Sequence, residues 1–252
     1  MRGMIAGLVA GLLLFAVGRT LGEPQVERAL AFEAALDDAR AKAEADLGHA
    51  PALPEPELVS RAHQSGLGLL TGTVVYAGAF GGLFALVFAF AHGRLAADPR
   101  GLALLLAAGG FLAIFLVPDL KYPSNPPAVG DPDTIGSRTA LYFAMMACSV
   151  AALAGATAIR QHLLASRGAW SAALLGAAFY AAAVAAAMLL LPAVQEVPDG
   201  FDAVVLWRFR IATAAMQLTL WTTLGLLFGA LAERVISGTP RAAAGRLRTA
   251  MR

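Results

Sequence analysis

Hydrophobic positions in this chain neither alternate nor recur on one helical face only; they fill long blocks. Gly66 to Ala91, Gly101 to Val117, Thr139 to Ile159, Ala169 to Gln195 and Ile211 to Ala232 contain no Asp, Glu, Lys or Arg. At about 1.5 Å per helical residue, each crosses or nearly crosses a hydrocarbon core roughly 30 Å thick. A backbone in lipid must satisfy its own hydrogen bonds, and these blocks are too long and too evenly apolar for barrel strands, so the pattern predicts helices. A sixth block, Gly3 to Leu21, is interrupted only by Arg19, close enough to the end to reach the headgroups. Its Gly3, Gly7, Gly11 and Gly18 share a stripe suited to close helix packing, and Ala16-Val17-Gly18 is a mediocre processing site. The block therefore reads as a retained helix and not as a cleaved signal peptide. The expected fold class is all-α, a polytopic integral membrane bundle of about six helices near 3–21, 66–91, 101–118, 139–159, 169–192 and 211–232. These form one transmembrane domain over residues 1–236, followed by a basic tail, 237–252.

Composition agrees: 58% of the residues are hydrophobic and 14% charged, against about a quarter charged in ordinary soluble domains. The position of the charges adds a direction. With six spans both termini share a face, and that face receives Arg2, Arg94, Arg100, Arg160, Arg167, Arg234 and the tail arginines, ten basic residues against Asp98 and Glu233. By the excess of basic residues in cytoplasmic loops this side is cytoplasmic, and the protein belongs in a bacterial cytoplasmic membrane. The opposite face carries fifteen acidic and nine basic residues. Such a surface concentrates cations, although the same sorting also serves orientation alone.

The connections on the acidic face are the long ones, at roughly 44, 20 and 15 residues against about ten on the other side, which places function there. In the first, Glu23 to Leu47 reads as an amphipathic helix starting at Pro24, with Val26, Leu30, Glu33 and Leu36 or Asp37 at helical spacing; Pro51, Pro54 and Pro56 then end it. It lies either across the outer mouth or on the membrane surface. A weak repeat also emerges. Each long connection leaves through proline and acid (Glu23-Pro24, Pro118-Asp119, Pro192 with Glu196) and re-enters at an arginine (Arg61, Arg138, Arg210), which predicts three helical hairpins. The second, fourth and sixth spans hold most of the polar residues, among them Thr71, Thr73, Tyr76, Tyr142, Met145, Cys148, Ser149, Thr213, Gln217 and Thr222. These either line an interior or bond neighbouring helices.

No GxxxxGK[ST] loop, HExxH motif or Ser/His/Asp arrangement stands out, so the chain reads as no enzyme. The spans lack buried Asp, Glu, Lys and His, unlike proton-coupled pumps. The basic residues flank membrane segments without aromatic platforms, which argues against nucleic acid as a partner. One cysteine, Cys148, rules out a disulfide framework and a thiolate zinc site. Among the histidines His49 and His63 fall on the acidic face. His63, beside Gln64 at the mouth of the second span, is either interfacial or an imidazole ligand joining nearby carboxylates. Met145, Met146 and Cys148 are either soft ligands or core filler.

The segment from Val117 to Gly136, with Pro118-Asp119, Tyr122-Pro123, Asn125-Pro126-Pro127 and Gly130-Asp131-Pro132-Asp133, followed by Arg138 and Tyr142, resembles the signature outer loop of the CbtA family. So do Glu196-Val197-Pro198 with Leu206-Trp207-Arg208-Phe209-Arg210, Gly22-Glu23-Pro24 with Glu33, and Arg61 with Gln64; the resemblance spans nearly the whole chain. It implies a cobalt transporter subunit associated with cobalamin supply and with a small histidine-containing membrane partner, CbtB. It also implies five spans, one fewer than the blocks counted above. The expected function is then a permease subunit for a divalent transition metal, cobalt by resemblance, with ions recruited at the acidic outer face. The alternative is a non-conducting scaffold or accessory subunit. No permanent cofactor is expected, Co²⁺ being substrate; the bilayer and the metal ion are partners, and a homo-oligomer stays open. Candidate metal ligands are His63, Asp119, Asp131, Asp133 and Glu23. Candidate pathway or gate residues are Arg61, Gln64, Tyr122, Asn125, Arg138, Tyr142, Met145, Trp207, Arg210 and Gln217. The three arginines are expected to pair with the acids as latches between outer loop and helix mouth.

Overall fold

The computed structural model describes residues 1–47, 59–95, 97–127 and 129–236, which are helical and contain no strand. The prolines expected to end the first long connection (51, 54 and 56), His49 and the tail 237–252 lie outside the described residues. Five helices are long and apolar enough to cross a membrane: α1 Arg2–Asp46, α2 Arg61–Ala91, α3 Pro99–Lys121, α4 Pro132–Leu190 and α5 Ala203–Ile236. The expected count of about six agrees with these five continuous helices, because α4 holds two of the expected spans joined across a kink. Gly168, at φ 74° and ψ 166°, breaks its helical path, a backbone conformation that glycine adopts without steric cost. The two limbs fold back on each other: Ser149 Oγ lies 2.8 Å from Tyr180 Oη, and a Cβ on Gly176 would stand 2.8 Å from the Ala156 carbonyl oxygen.

Leu86, Phe90, Leu189 and Leu190 are each more than two-thirds exposed. Large apolar side chains left exposed in this way are a liability in water and an ordinary surface in lipid. The chain is a multi-pass membrane protein of all-α class.

Two prolines sit inside helices where breaks are expected, and both are accommodated. A proline removes one N–H and crowds the carbonyl four residues earlier. Pro24 does not start a new helix, because α1 runs through it. The wider π turn Gly18–Gly22 directly precedes it, a local adjustment that relieves such crowding. Pro118 is likewise preceded by a π turn, Phe111–Leu116. The carbonyl it leaves free is that of Ile114, and the Tyr142 hydroxyl donates toward that oxygen at 3.5 Å. Tyr142→Phe is therefore expected to destabilise the protein by about 1 kcal/mol, the net worth of a long hydrogen bond to backbone, read as a lowered unfolding midpoint in detergent.

The chain divides into two compact units. One holds Met1–Thr20, Val59–Gly110 and the chain from Ala214 onward. In it α1 and α2 run antiparallel at backbone contact: a Cβ on Gly3 would overlap the Gly81 carbonyl, one on Gly7 the Ala77 carbonyl, and one on Gly11 would come within 2.6 Å of Val74 Cα. Gly225 and Gly229 on α5 similarly admit Ala107 and Ala103 of α3. Phe84 and Phe88 close the packing against Phe228, edge to face at 5.4 and 5.0 Å. At one end Arg100 Nε pairs with Glu233 Oε2 at 2.6 Å. Not every glycine is used this way, since Gly72 faces open space.

The other unit holds Leu21–Leu58 and Phe111–Thr213. Its core is Val117, Tyr122 and Met145, packed by Leu141, Tyr180, Val184 and Met188 among others. Ser149 shares a hydrogen bond with Tyr180 and, on α5, Thr213 donates to the Phe209 carbonyl four residues back.

Candidate functional site

All three long connections contribute to one open cleft of about 1130 Å³ within the second unit. The first arrives as the extension of α1, where Gln25, Ala29, Phe32 and Leu36 are covered or half-covered at helical spacing. Of the expected positions Val26, Leu30 and Leu36 are half-covered and Glu33 and Asp37 exposed, so the covered stripe is shifted from the expected one, and every described residue after Leu36 up to Leu47 is exposed. Phe32 meets Phe201 of the third connection edge to face at 5.1 Å. That contact places Glu33, Asp37 and Arg40 along one wall.

The second connection forms the opposite wall because its sequence leaves few conformations. Pro123, Pro126 and Pro127 hold the backbone extended. The Asp119 carboxylate accepts from Ser124 N at 3.0 Å, closing the start of the loop. At its far end the Asp131 carboxylate accepts from Asp133 N at 2.9 Å and caps the short turn Pro132–Thr134. Between them Gly130 sits at φ 117°, and a Cβ there would stand 3.0 Å from the Arg138 guanidinium carbon. Glycine is required twice at this point, by the backbone and by the arginine.

Three fastenings tie this loop to the rest. Tyr122 Oη donates to the Pro192 carbonyl at 2.7 Å, and burial pushes this phenol above its ordinary range, so it stays a neutral donor. Arg210 donates from Nε to the Ser124 carbonyl (3.2 Å) and from Nη2 to Asn125 Oδ1 (3.0 Å). The third fastening centres on Glu196. Its Oε2 accepts from Asp131 N (3.2 Å) and Thr134 Oγ1 (2.6 Å) and lies 3.2 Å from Arg138 Nε. Arg138 Nη2 also donates to the Asp131 carbonyl at 3.1 Å.

Five carboxylates (Glu33, Asp37, Asp131, Glu196 and Asp199) and two guanidinium groups (Arg40 and Arg138) line the cleft. Arg40 pairs with Asp37 at 3.4 Å, but both are largely exposed, and such pairs are worth little. The surplus of negative charge in a concave, partly desolvated space raises the local concentration of cations.

Arg138 takes an acid, Glu196, whereas Arg210 takes the Ser124 carbonyl and the Asn125 amide oxygen in place of the expected acid. Arg61 begins α2 half-buried, with His63 exposed beside it, and Gln64 Nε2 donates back to the Val59 carbonyl at 2.8 Å. The expected ligand set is not assembled, because among the described residues no group of three or more His, Cys, Asp or Glu converges on one point. The Asp119 and Asp131 carboxylates serve the loop's own closure, Asp133 takes part through its backbone N–H, and Glu23 is buried within α1. Of the remaining pathway candidates, Met145 is fully buried in the core, Gln217 faces Tyr76, and Trp207 is 64% exposed. Cys148 is exposed and thus apart from the Met145 core.

Glu196, Gly130, Glu33, Asp37 and Asp199 were outside the candidate set, yet they line the cleft, and Thr134, also outside it, holds Glu196. The available signal was the arginine at 138 in need of an acid, with Glu196-Val197-Pro198 the nearest acid on another long connection.

Residues 1–233 match the profile of a family designated CbtA and described as "Probable cobalt transporter subunit". No curated protein and no solved structure matches the chain.

Proposed function

We propose, since the chain belongs to the CbtA family, that it is the membrane permease subunit of a cobalt-uptake system, with the acidic cleft as the entry where cations gather. The family description names a transporter subunit, and so a partner in a complex. The observation that supports an entry role is the convergence of all three long connections on one concave, carboxylate-rich wall. By the bias of basic residues this face is outside and both termini are cytoplasmic. At about 1130 Å³ the cleft far exceeds a bare ion, which suits a hydrated or chelated metal. The link to cobalamin supply belongs to this proposal.

The test is uptake of radiolabelled Co²⁺ into proteoliposomes holding this chain alone. Uptake above that of empty vesicles is the expected result; none, with recovery on adding a membrane partner, transfers conduction to the complex. The second reading, a non-conducting accessory subunit, is favoured by one observation, the lack of any convergent ligand group among the described residues.

Entry recruitment has its own check. Glu33 and Asp199 are exposed lining acids outside the three fastenings. Glu33→Gln with Asp199→Asn should lower initial uptake at limiting Co²⁺ by about three-fold at low ionic strength, and the difference should vanish as salt shortens the Debye length to roughly 8 Å. A salt-independent difference would assign these residues a role other than electrostatic recruitment.

A further inference from the structure

The cradle around Arg138 already has the chemistry of a cation site. It offers a carboxylate oxygen of Glu196, the Asp131 carbonyl, and the space left by the missing Cβ of Gly130. The guanidinium in it belongs to the chain itself, and the side chains of the Arg138–Glu196 pair are only 25% and 20% exposed. The same Glu196 oxygen holds Asp131 N and Thr134 Oγ1, so one atom carries both the counter-charge and the closure of the loop. Positive-φ glycines, Gly130 and Gly200, flank the fastening on the two connections it joins, and such positions absorb backbone rotation readily.

We infer that Arg138 is a tethered stand-in for the arriving cation, and that a divalent metal ion entering the cleft displaces it from Glu196 and releases the strap 129–134. The inference rests on the entry role proposed for the cleft. A divalent ion drawn onto the Glu196 carboxylate would stand against the Arg138 guanidinium and repel it, and Glu33, Asp37 and Asp199 on the surrounding walls favour the higher charge. Once Arg138 leaves, Asp131 N and Thr134 Oγ1 lose an acceptor committed instead to the metal, and the loop loses its hold on the third connection. Arg138 is a positioning residue in this scheme. It keeps the strap shut in the absence of cargo.

The experiment is amide hydrogen exchange on the full chain in lipid nanodiscs, read by mass spectrometry on peptides covering 129–138, with Co²⁺ titrated against ionic-strength-matched NaCl. Wild type should exchange about ten-fold faster in this segment at saturating Co²⁺, with no change in NaCl. Arg138→Gln should exchange fast already and be indifferent to Co²⁺, while Arg138→Lys should stay protected without metal and open at lower Co²⁺. Exchange that is unchanged or slowed by Co²⁺ in wild type overturns the proposal, as does an Arg138→Gln variant as protected as wild type. If Arg138→Gln cannot be recovered folded, the wild-type titration and the Arg138→Lys shift decide alone. Opening needs no transport, so a chain that opens without taking up Co²⁺ defeats the permease reading and leaves this one standing; uptake without opening does the reverse.

Discussion

Gly7→Leu is expected to leave no folded protein to purify. The position has no room for any side chain, because even a Cβ would overlap the Ala77 carbonyl and come within 2.9 Å of Gly78 Cα on the antiparallel helix. Those atoms are backbone, and they cannot move unless α1 and α2 separate along their whole contact. In lipid no hydrophobic drive compensates, since helix association there depends on close van der Waals packing, and small residues are what permit it. Overpacking a core usually costs about 1–3 kcal/mol; here the clash is with main chain and repeats at Gly3 and Gly11, so the loss should exceed that range. Leu12→Ala is the matched control, because Leu12 is on the same helix and 56% exposed. It should give wild-type yield and a single symmetric peak on size exclusion, while Gly7→Leu and Gly81→Leu both give aggregate. If Gly7→Leu elutes as wild type, the close pairing of α1 with α2 is wrong.

That pairing was legible in the sequence, and the reason is physical. A glycine every fourth residue in an apolar helix has few uses besides backbone contact, so Gly3, Gly7 and Gly11 announced their role. The apolar blocks were equally legible, since hydrocarbon thickness fixes their length whatever the fold. Helix continuity was not. Pro24 and Pro118 carry the local signal of a break, and whether a π turn absorbs it depends on what satisfies the freed carbonyl, such as Tyr142 from another helix. Nor does composition tell whether an inner connection is a loop or, as at Gly168, a single residue out of helical conformation. The cleft lay between these extremes. The need of Arg138 and Arg210 for partners could be read from charged groups at a membrane boundary, but the choice of Glu196 for one and of Ser124 and Asn125 for the other depends on how three distant connections meet. The metal candidates went the other way: the Asp119 and Asp131 carboxylates, close in sequence within a proline-rich loop, are committed to the loop's own turns.

Glu196→Ala carries the second large effect. One oxygen accepts from a backbone amide and a hydroxyl and lies within ion-pair distance of a guanidinium, so a single truncation removes three interactions and leaves Arg138 facing the Asp131 carbonyl alone. Hydrogen bonds to charged groups are worth roughly 1.5–3 kcal/mol each, and the remaining exposure of the pair screens part of this, so the expected loss is about 2–4 kcal/mol. Asp199→Ala, which removes an exposed carboxylate from the same cleft, should stay within about 0.5 kcal/mol. The two outcomes separate a structural fastening from a general effect of negative charge. A double-mutant cycle isolates the ion pair itself: Glu196→Gln and Arg138→Gln should each destabilise, and the double variant should fall short of their sum by about 1 kcal/mol or more. Strict additivity would mean that the 3.2 Å approach of Arg138 to Glu196 contributes nothing. The hold on the strap would then rest on Thr134 and the Asp131 amide, which the isosteric glutamine can still accept from, and no cation could open it by competing with an arginine.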